Sequence, residues 1–195
     1  MLQEVVSLNN LAINYLRMDR NEEAVSLLTK AMVLVQQCSV QDFDADVLRV
    51  YEIAARVRFP TISEVVASPY VALNLMPSDA NDALFEVYTR PFLISDSVMI
   101  PPSVLRIALS FNTGLVYHRL GLQNNSLDNL KTAVQYYQYG LCMVKQNARE
   151  GYSSHGMYWL SLALLTNAGN ILWSLWCTKE ALECRQRVQL LLGTK

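Results

Sequence analysis

The sequence predicts an all-α fold of antiparallel helical hairpins stacked side by side, and three observations point to it. A spacing of small and aromatic residues recurs three times along the chain. Around each copy, apolar residues return at helical intervals. All six prolines, from Pro60 to Pro102, fall in one stretch between the first copy and the second, so the helix breakers are collected into an insert.

The first hairpin is expected over residues 1–38. Val5, Leu8, Leu11, Ala12, Tyr15 and Leu16 follow a helical period, and Asp19-Arg20-Asn21 interrupts it. Asn21 reads as an Asx cap, and Glu22 and Glu23 place acidic charge where the free N–H groups of a second helix, running to about Gln37, carry partial positive charge.

The insert, residues 39–102, cannot hold long helices with a proline every ten or so positions. A short helix is still predicted over 46–58, with Val47, Val50, Tyr51 and Ala54 on one face. Residues 70–76 and 84–94 are rich in β-formers and flank a turn composition at 77–82. They predict a small β-hairpin whose second strand Pro91 confines to an edge.

The second hairpin, 103–148, starts with Ser103 as the expected cap. Gly114, Ala133 and Gly140 fall on inward rows, where missing bulk lets backbones approach while Tyr117 and Tyr137 fill the remaining groove. An uncharged turn-like segment, 121–126, separates the two helices.

The third hairpin, 154–193, follows a break at 151–156. From Gly151 to Thr178 there is no Asp, Glu, Lys or Arg, and Tyr158, Trp159, Trp173 and Trp176 sit near the two ends, as a membrane span would have them. Asn167 and Asn170 would then lie near mid-bilayer, so a buried helix is the preferred reading. The last helix is expected over 179–192, with Ala181, Leu182, Val188, Leu191 and Leu192 as its apolar face and Gly193 as its stop.

The recurring motif is Leu8-x2-Leu11-Ala12-x2-Tyr15, Ala24-x3-Leu28 and Ala31; then Gly114-x2-Tyr117, Ala133-x3-Tyr137 and Gly140; then Leu165-x2-Ala168-Gly169-x2-Leu172, Ala181-x3-Arg185 and Val188. Tyr15 to Ala24 and Leu172 to Ala181 are nine positions apart, whereas Tyr117 to Ala133 are 16, which predicts a longer inter-helix loop in the middle unit. In this pattern the chain resembles the tetratricopeptide repeat (TPR) family, whose unit is about 34 residues. No unit has the family's tryptophan, and its proline position holds Gln36, Lys145 and Gly193.

The resemblance implies a short TPR-like solenoid whose first helices line a concave face, with asparagines there bonding the backbone of an extended peptide. With Leu8, Ser110 and Leu165 as equivalents, those asparagines are Asn10, Asn112 and Asn167. A carboxamide offers a donor and an acceptor, so it can pair with a peptide unit whatever its side chain. Helical spacing adds Asn170, His118 and Arg119 as candidate peptide-binding residues. The positions at which some TPR domains clamp a terminal carboxylate hold, in this resemblance, Asn9, Ile13, Asn112, Ala163 and Asn167, with no cation among them.

Charge is nearly balanced, 16 basic against 17 acidic residues, which gives no electrostatic footprint for nucleic acid. The 52% apolar and 17% charged fractions suggest that some apolar surface is covered by a partner or a second copy. Cys38, Cys142, Cys177 and Cys184 form no C-x-x-C pair and read as buried free thiols of a reducing compartment. The first residues lack a basic n-region and an apolar h-region, so a cytoplasmic location is expected. His118 and His155 belong to no metal-ligand or nucleophile spacing, so no catalytic, metal or cofactor site is expected. The function expected is a non-catalytic interaction module that takes a partner peptide or helix in its groove, with no nucleic acid and no membrane span. The alternative is a structural subunit of a homo-oligomer or a permanent complex, joined through apolar faces.

Overall fold

The computed structural model describes residues 1–37, 87–94, 100–149 and 155–193. Among them are six helices: α1 (Leu2–Arg17), α2 (Asn21–Gln37), α3 (Pro102–Gln123), α4 (Leu127–Arg149), α5 (His155–Ser174) and α6 (Thr178–Leu192). They pair in chain order, α1 with α2, α3 with α4 and α5 with α6. The pairs stack through α2 against α3 and α4 against α5, which leaves α1, α3 and α5 as neighbours on one side.

Each pair is closed by the same three-residue turn. Asp19, Asn125 and Trp176 adopt left-handed backbone with φ of 56°, 49° and 62°. The next N–H, that of Arg20, Ser126 or Cys177, donates to the carbonyl of Tyr15, Gly121 or Leu172 at 3.0, 2.8 and 2.9 Å. This closure satisfies a carbonyl that the end of the first helix would otherwise leave free. Asp and Asn accept left-handed backbone readily, whereas Trp176, 85% exposed, has no glycine-like freedom to ease it.

The middle unit does not have the longer loop expected from its spacing. Its turn, residues 124–126, is as short as the others, and the extra length lies within α3 and α4. Four residues added before the turn and three after it amount to about one turn in each helix, so the facing rows stay in register. Gly121 is accordingly helical, and a Cβ there would lie 2.6 Å from Leu130 Cδ2.

Other expectations are corrected at helix ends. Pro101 and not Ser103 precedes α3, and Pro102 takes the first helical position, where a missing N–H costs nothing. Asn21 is the first residue of α2, not its cap; the carbonyl of Arg20 receives the Ala24 N–H, and the Asn21 carboxamide donates across the stack to Gln123 Oε1 at 2.8 Å. Gly193, with φ 68°, ends α6 as expected.

The predicted β-hairpin is not found in residues 87–94, which show no strand, helix or turn and only a single bridge at Ile94. Residues 70–76 and the helix expected over 46–58 lie outside the described residues.

The core is continuous through the stack, and α3 is buried on most of its circumference. Close approach explains two glycines. A Cβ on Gly114 would meet Tyr137 Cε1 at 2.6 Å, and one on Gly140 would meet Leu164 Cδ2 of α5 at 2.9 Å. Gly114 thus seats α4 on α3, and Gly140 seats the next pair on α4.

Two expectations about burial are overturned. On α6 only Ala181 and Cys184 are buried, while Leu182 and Leu192 are each 50% exposed, because no further helix among those described covers that face. Of the cysteines, Cys142 is exposed, Cys177 is half-buried and only Cys184 is buried; all three are free thiols, and Cys38 lies outside the described residues. No helix among the described residues is long and apolar enough to cross a membrane.

Candidate binding groove

Three asparagines share one side of the stack because each sits at the same step of a first helix, Asn10 on α1, Asn112 on α3 and Asn167 on α5. The space before them is occupied by the chain's own segment 87–94. A buried carboxamide must find partners for two N–H donors and its oxygen, and here it finds them in that segment's backbone.

Asn112, fully buried, accepts the Phe92 N–H at 2.8 Å and donates to the Phe92 carbonyl at 3.0 Å. Asn10 does the same to Ile94, accepting its N–H at 3.1 Å and donating to its carbonyl at 2.7 Å. Asn167 accepts the Tyr88 N–H at 2.7 Å and donates to the Tyr88 carbonyl at 2.9 Å. Each carboxamide therefore reads both backbone groups of one residue, and the backbone fixes which end is nitrogen, since an N–H can only donate and a carbonyl only accept.

The remaining N–H groups tie the row together. Asn112 Nδ2 also donates to Asn9 Oδ1 at 2.8 Å, and Asn9 Nδ2 donates to the Phe92 carbonyl at 3.1 Å and to Asn10 Oδ1 at 3.2 Å. Asn9 belongs to the same hydrogen-bonded row, although it is not among the candidate residues drawn from the sequence. Its sequence signal was the Asn9-Asn10 doublet, which puts two carboxamides on adjacent rows of α1. Residues 88, 92 and 94 share parity, so Pro91, which has no N–H to give, falls outside the set that these asparagines use.

Side chains add an aromatic seat. The rings of Tyr88 and Phe92 stack at 5.4 Å, and both meet Phe111 of α3 edge-on, at 5.5 and 4.8 Å. Phe92 is 1% exposed and Ile94 2%, whereas Arg90 is exposed.

Arg119 donates through Nη2 to the Thr89 carbonyl at 3.2 Å and through Nη1 to the Leu16 carbonyl at 3.3 Å, linking the segment to the end of α1. Partial burial lowers its pKa, and the charge of Asp19 opposes that shift.

His118 does not line open surface. It is 2% exposed beside Tyr137, with Nδ1 3.5 Å from the Tyr137 hydroxyl. Burial, aided by the charge of Arg119, pushes its pKa down to about 4, so the ring is neutral near pH 7. Tyr137, whose pKa burial raises, accepts from Asn167 Nδ2 at 3.2 Å. The same hydroxyl faces His118 Nδ1, so polar groups run in series from Tyr88 through Asn167 and Tyr137 to His118. Asn170 is 7% exposed on α5, three residues on from Asn167. The side chain of His155 lies outside the described residues.

Among the described residues no group of three or more His, Cys, Asp or Glu is assembled that could hold a metal ion. What the groove offers chemically is hydrogen bonding to a backbone, from carboxamides and from the Arg119 guanidinium, and an aromatic shelf. Comparison with protein-family models, curated proteins and solved structures finds no match.

Proposed function

We propose that this chain is a non-catalytic protein-interaction module, a short TPR-like stack that holds a non-helical peptide by its backbone in the asparagine row of α1, α3 and α5. The observation that carries the reading is the repeated two-point pairing of Asn10, Asn112 and Asn167 with Ile94, Phe92 and Tyr88. A buried carboxamide can meet its need for partners in many ways, whereas here the same donor-and-acceptor match to a single peptide residue recurs on α1, α3 and α5. A row that grips peptide needs that match, because backbone pairing gives affinity and side-chain seats give choice.

The test is selection of short peptides from a random library against the full chain, followed by NMR of its asparagine side-chain amides. Selected peptides are expected to shift the signals of Asn10, Asn112 or Asn167. Binders that leave all three unmoved overturn the reading.

A second reading is a structural subunit joined through apolar faces. It is favoured by the outer surface of the last pair, where Leu190 is 75% exposed and Trp176 85%. A concentration-independent oligomer at micromolar dilution supports its homo-oligomeric form, and a monomer excludes that form.

A further inference from the structure

We propose that segment 87–94 is a replaceable occupant of the groove, and that the ligand which replaces it is a non-helical segment of a partner protein patterned aromatic, three residues, aromatic, one residue, aliphatic. This rests on the reading of the stack as a peptide-gripping module.

The pattern follows from what the groove reads. Asn10, Asn112 and Asn167 hold backbone and are blind to side chains, so selectivity lies in the seats of Tyr88, Phe92 and Ile94. The first two need rings to stack on one another and on Phe111, and the third needs a branched aliphatic group that can be buried. Arg90 projects to solvent and is not selected. Arg119 bonds a backbone carbonyl, so the ligand needs neither a terminal carboxylate nor an acidic side chain.

Two features make the occupant separable. The helices pack on one another in an unbroken series from α1 to α6, so the stack does not depend on 87–94 for continuity. The surface it covers carries the carboxamides of Asn9, Asn10, Asn112 and Asn167, which water or another peptide can satisfy. Joined to the same chain, the segment competes at an effective concentration on the order of millimolar, so an incoming peptide binds weakly until the groove opens. Occupancy by self thus sets the threshold for occupancy by a partner.

The experiment uses a capped, fluorescein-labelled synthetic peptide of residues 87–94, and the same peptide with alanine at positions 88 and 92. Each is titrated into the wild-type chain and into full-length Phe92→Ala, after circular dichroism has shown that the variant is folded. Anisotropy is expected to report saturable binding of the first peptide at least tenfold tighter to the variant than to wild type, no binding of the alanine peptide, and loss of binding when Asn112→Ala is added. A folded variant that binds neither peptide overturns the proposal. So does a variant that dimerises on its own and dissociates when the peptide is added, which would assign the groove to a second copy.

Hydrogen exchange on the wild-type chain decides the matter if Phe92→Ala does not fold. The amides of Tyr88, Phe92 and Ile94 are expected to exchange at least a hundredfold faster than those of α3 around Asn112. Equal rates would make the segment part of the cooperative core and overturn the proposal. If library-selected peptides shift the asparagine signals while the patterned peptide does not bind, this inference fails and the module reading stands. If no peptide reaches the asparagines, both fail.

Discussion

The middle and the last helical pairs of this chain are built from the same turn yet end in opposite surroundings. The second helix of each carries a buried alanine near its start, Ala133 on α4 and Ala181 on α6, and each turn carries one left-handed residue. α3, however, is covered by α2, α4 and segment 87–94, so even Ser110, Asn112 and Thr113 are fully buried. α6 has α5 on one side, and Leu182, Leu190 and Leu192 face outward. The difference teaches that the pair itself is a local device, whereas burial is conferred by what stacks next to it.

That contrast can be pressed hardest at Phe111. Its ring touches those of Tyr88, Phe92 and Tyr137 and is fully buried, so Phe111→Ala is expected to cost about 4 kcal/mol in urea unfolding. A loss below about 1 kcal/mol would mean that the middle pair is no better packed than the end.

Within the asparagine row, Asn112→Ala is expected to cost about 2–3 kcal/mol, because it removes the acceptor of the Phe92 N–H and the donor to Asn9 Oδ1 in a buried site. Asn10→Ala, at a half-buried position, should cost about 1 kcal/mol by the same accounting. Equal melting of the two variants would show that depth of burial does not grade the row.

His118 gives the contrast a pH signature. Its folded pKa of about 4 lies below the unfolded value near 6.5, so the unfolded chain binds more protons between them. The contribution is present above the unfolded pKa and is lost as pH falls through the window toward 4. From pH 7 to pH 5 the loss should be about 2 kcal/mol. His118→Gln should flatten the stability profile across that window, and a profile unchanged by the substitution would show that the ring is not held neutral.

The smallest effect belongs to the last pair. Leu190→Ser, at a position 75% exposed, should change stability by less than about 0.5 kcal/mol while lowering any self-association seen by sedimentation. A loss of several times that size would mean that the exposed row of α6 supports the fold after all.

Part of the groove was legible in the sequence. The offsets that align Leu8, Ser110 and Leu165 place Asn10, Asn112 and Asn167 one per first helix, because helical period is a local property that survives stacking. The loop expected in the middle unit was misread for a related reason. Spacing counts residues but not the state they adopt, and a gain of four and three residues costs a helix nothing when each amounts to about one turn.

By itself the sequence determined the helices, their pairing, the small residues at the close approaches of Gly114 and Gly140, and the side on which the asparagines stand. All of these follow from periodicity and bulk within about 40 residues of chain. Only tertiary structure decided what the asparagines hold, since Asn10 and Ile94 are 84 positions apart and no local pattern couples them. It also decided that His118 is buried beside Tyr137, and that α3 is enclosed where α6 is not. Burial is a sum over neighbours brought from distant parts of the chain, and a helix does not carry that sum in its own residues.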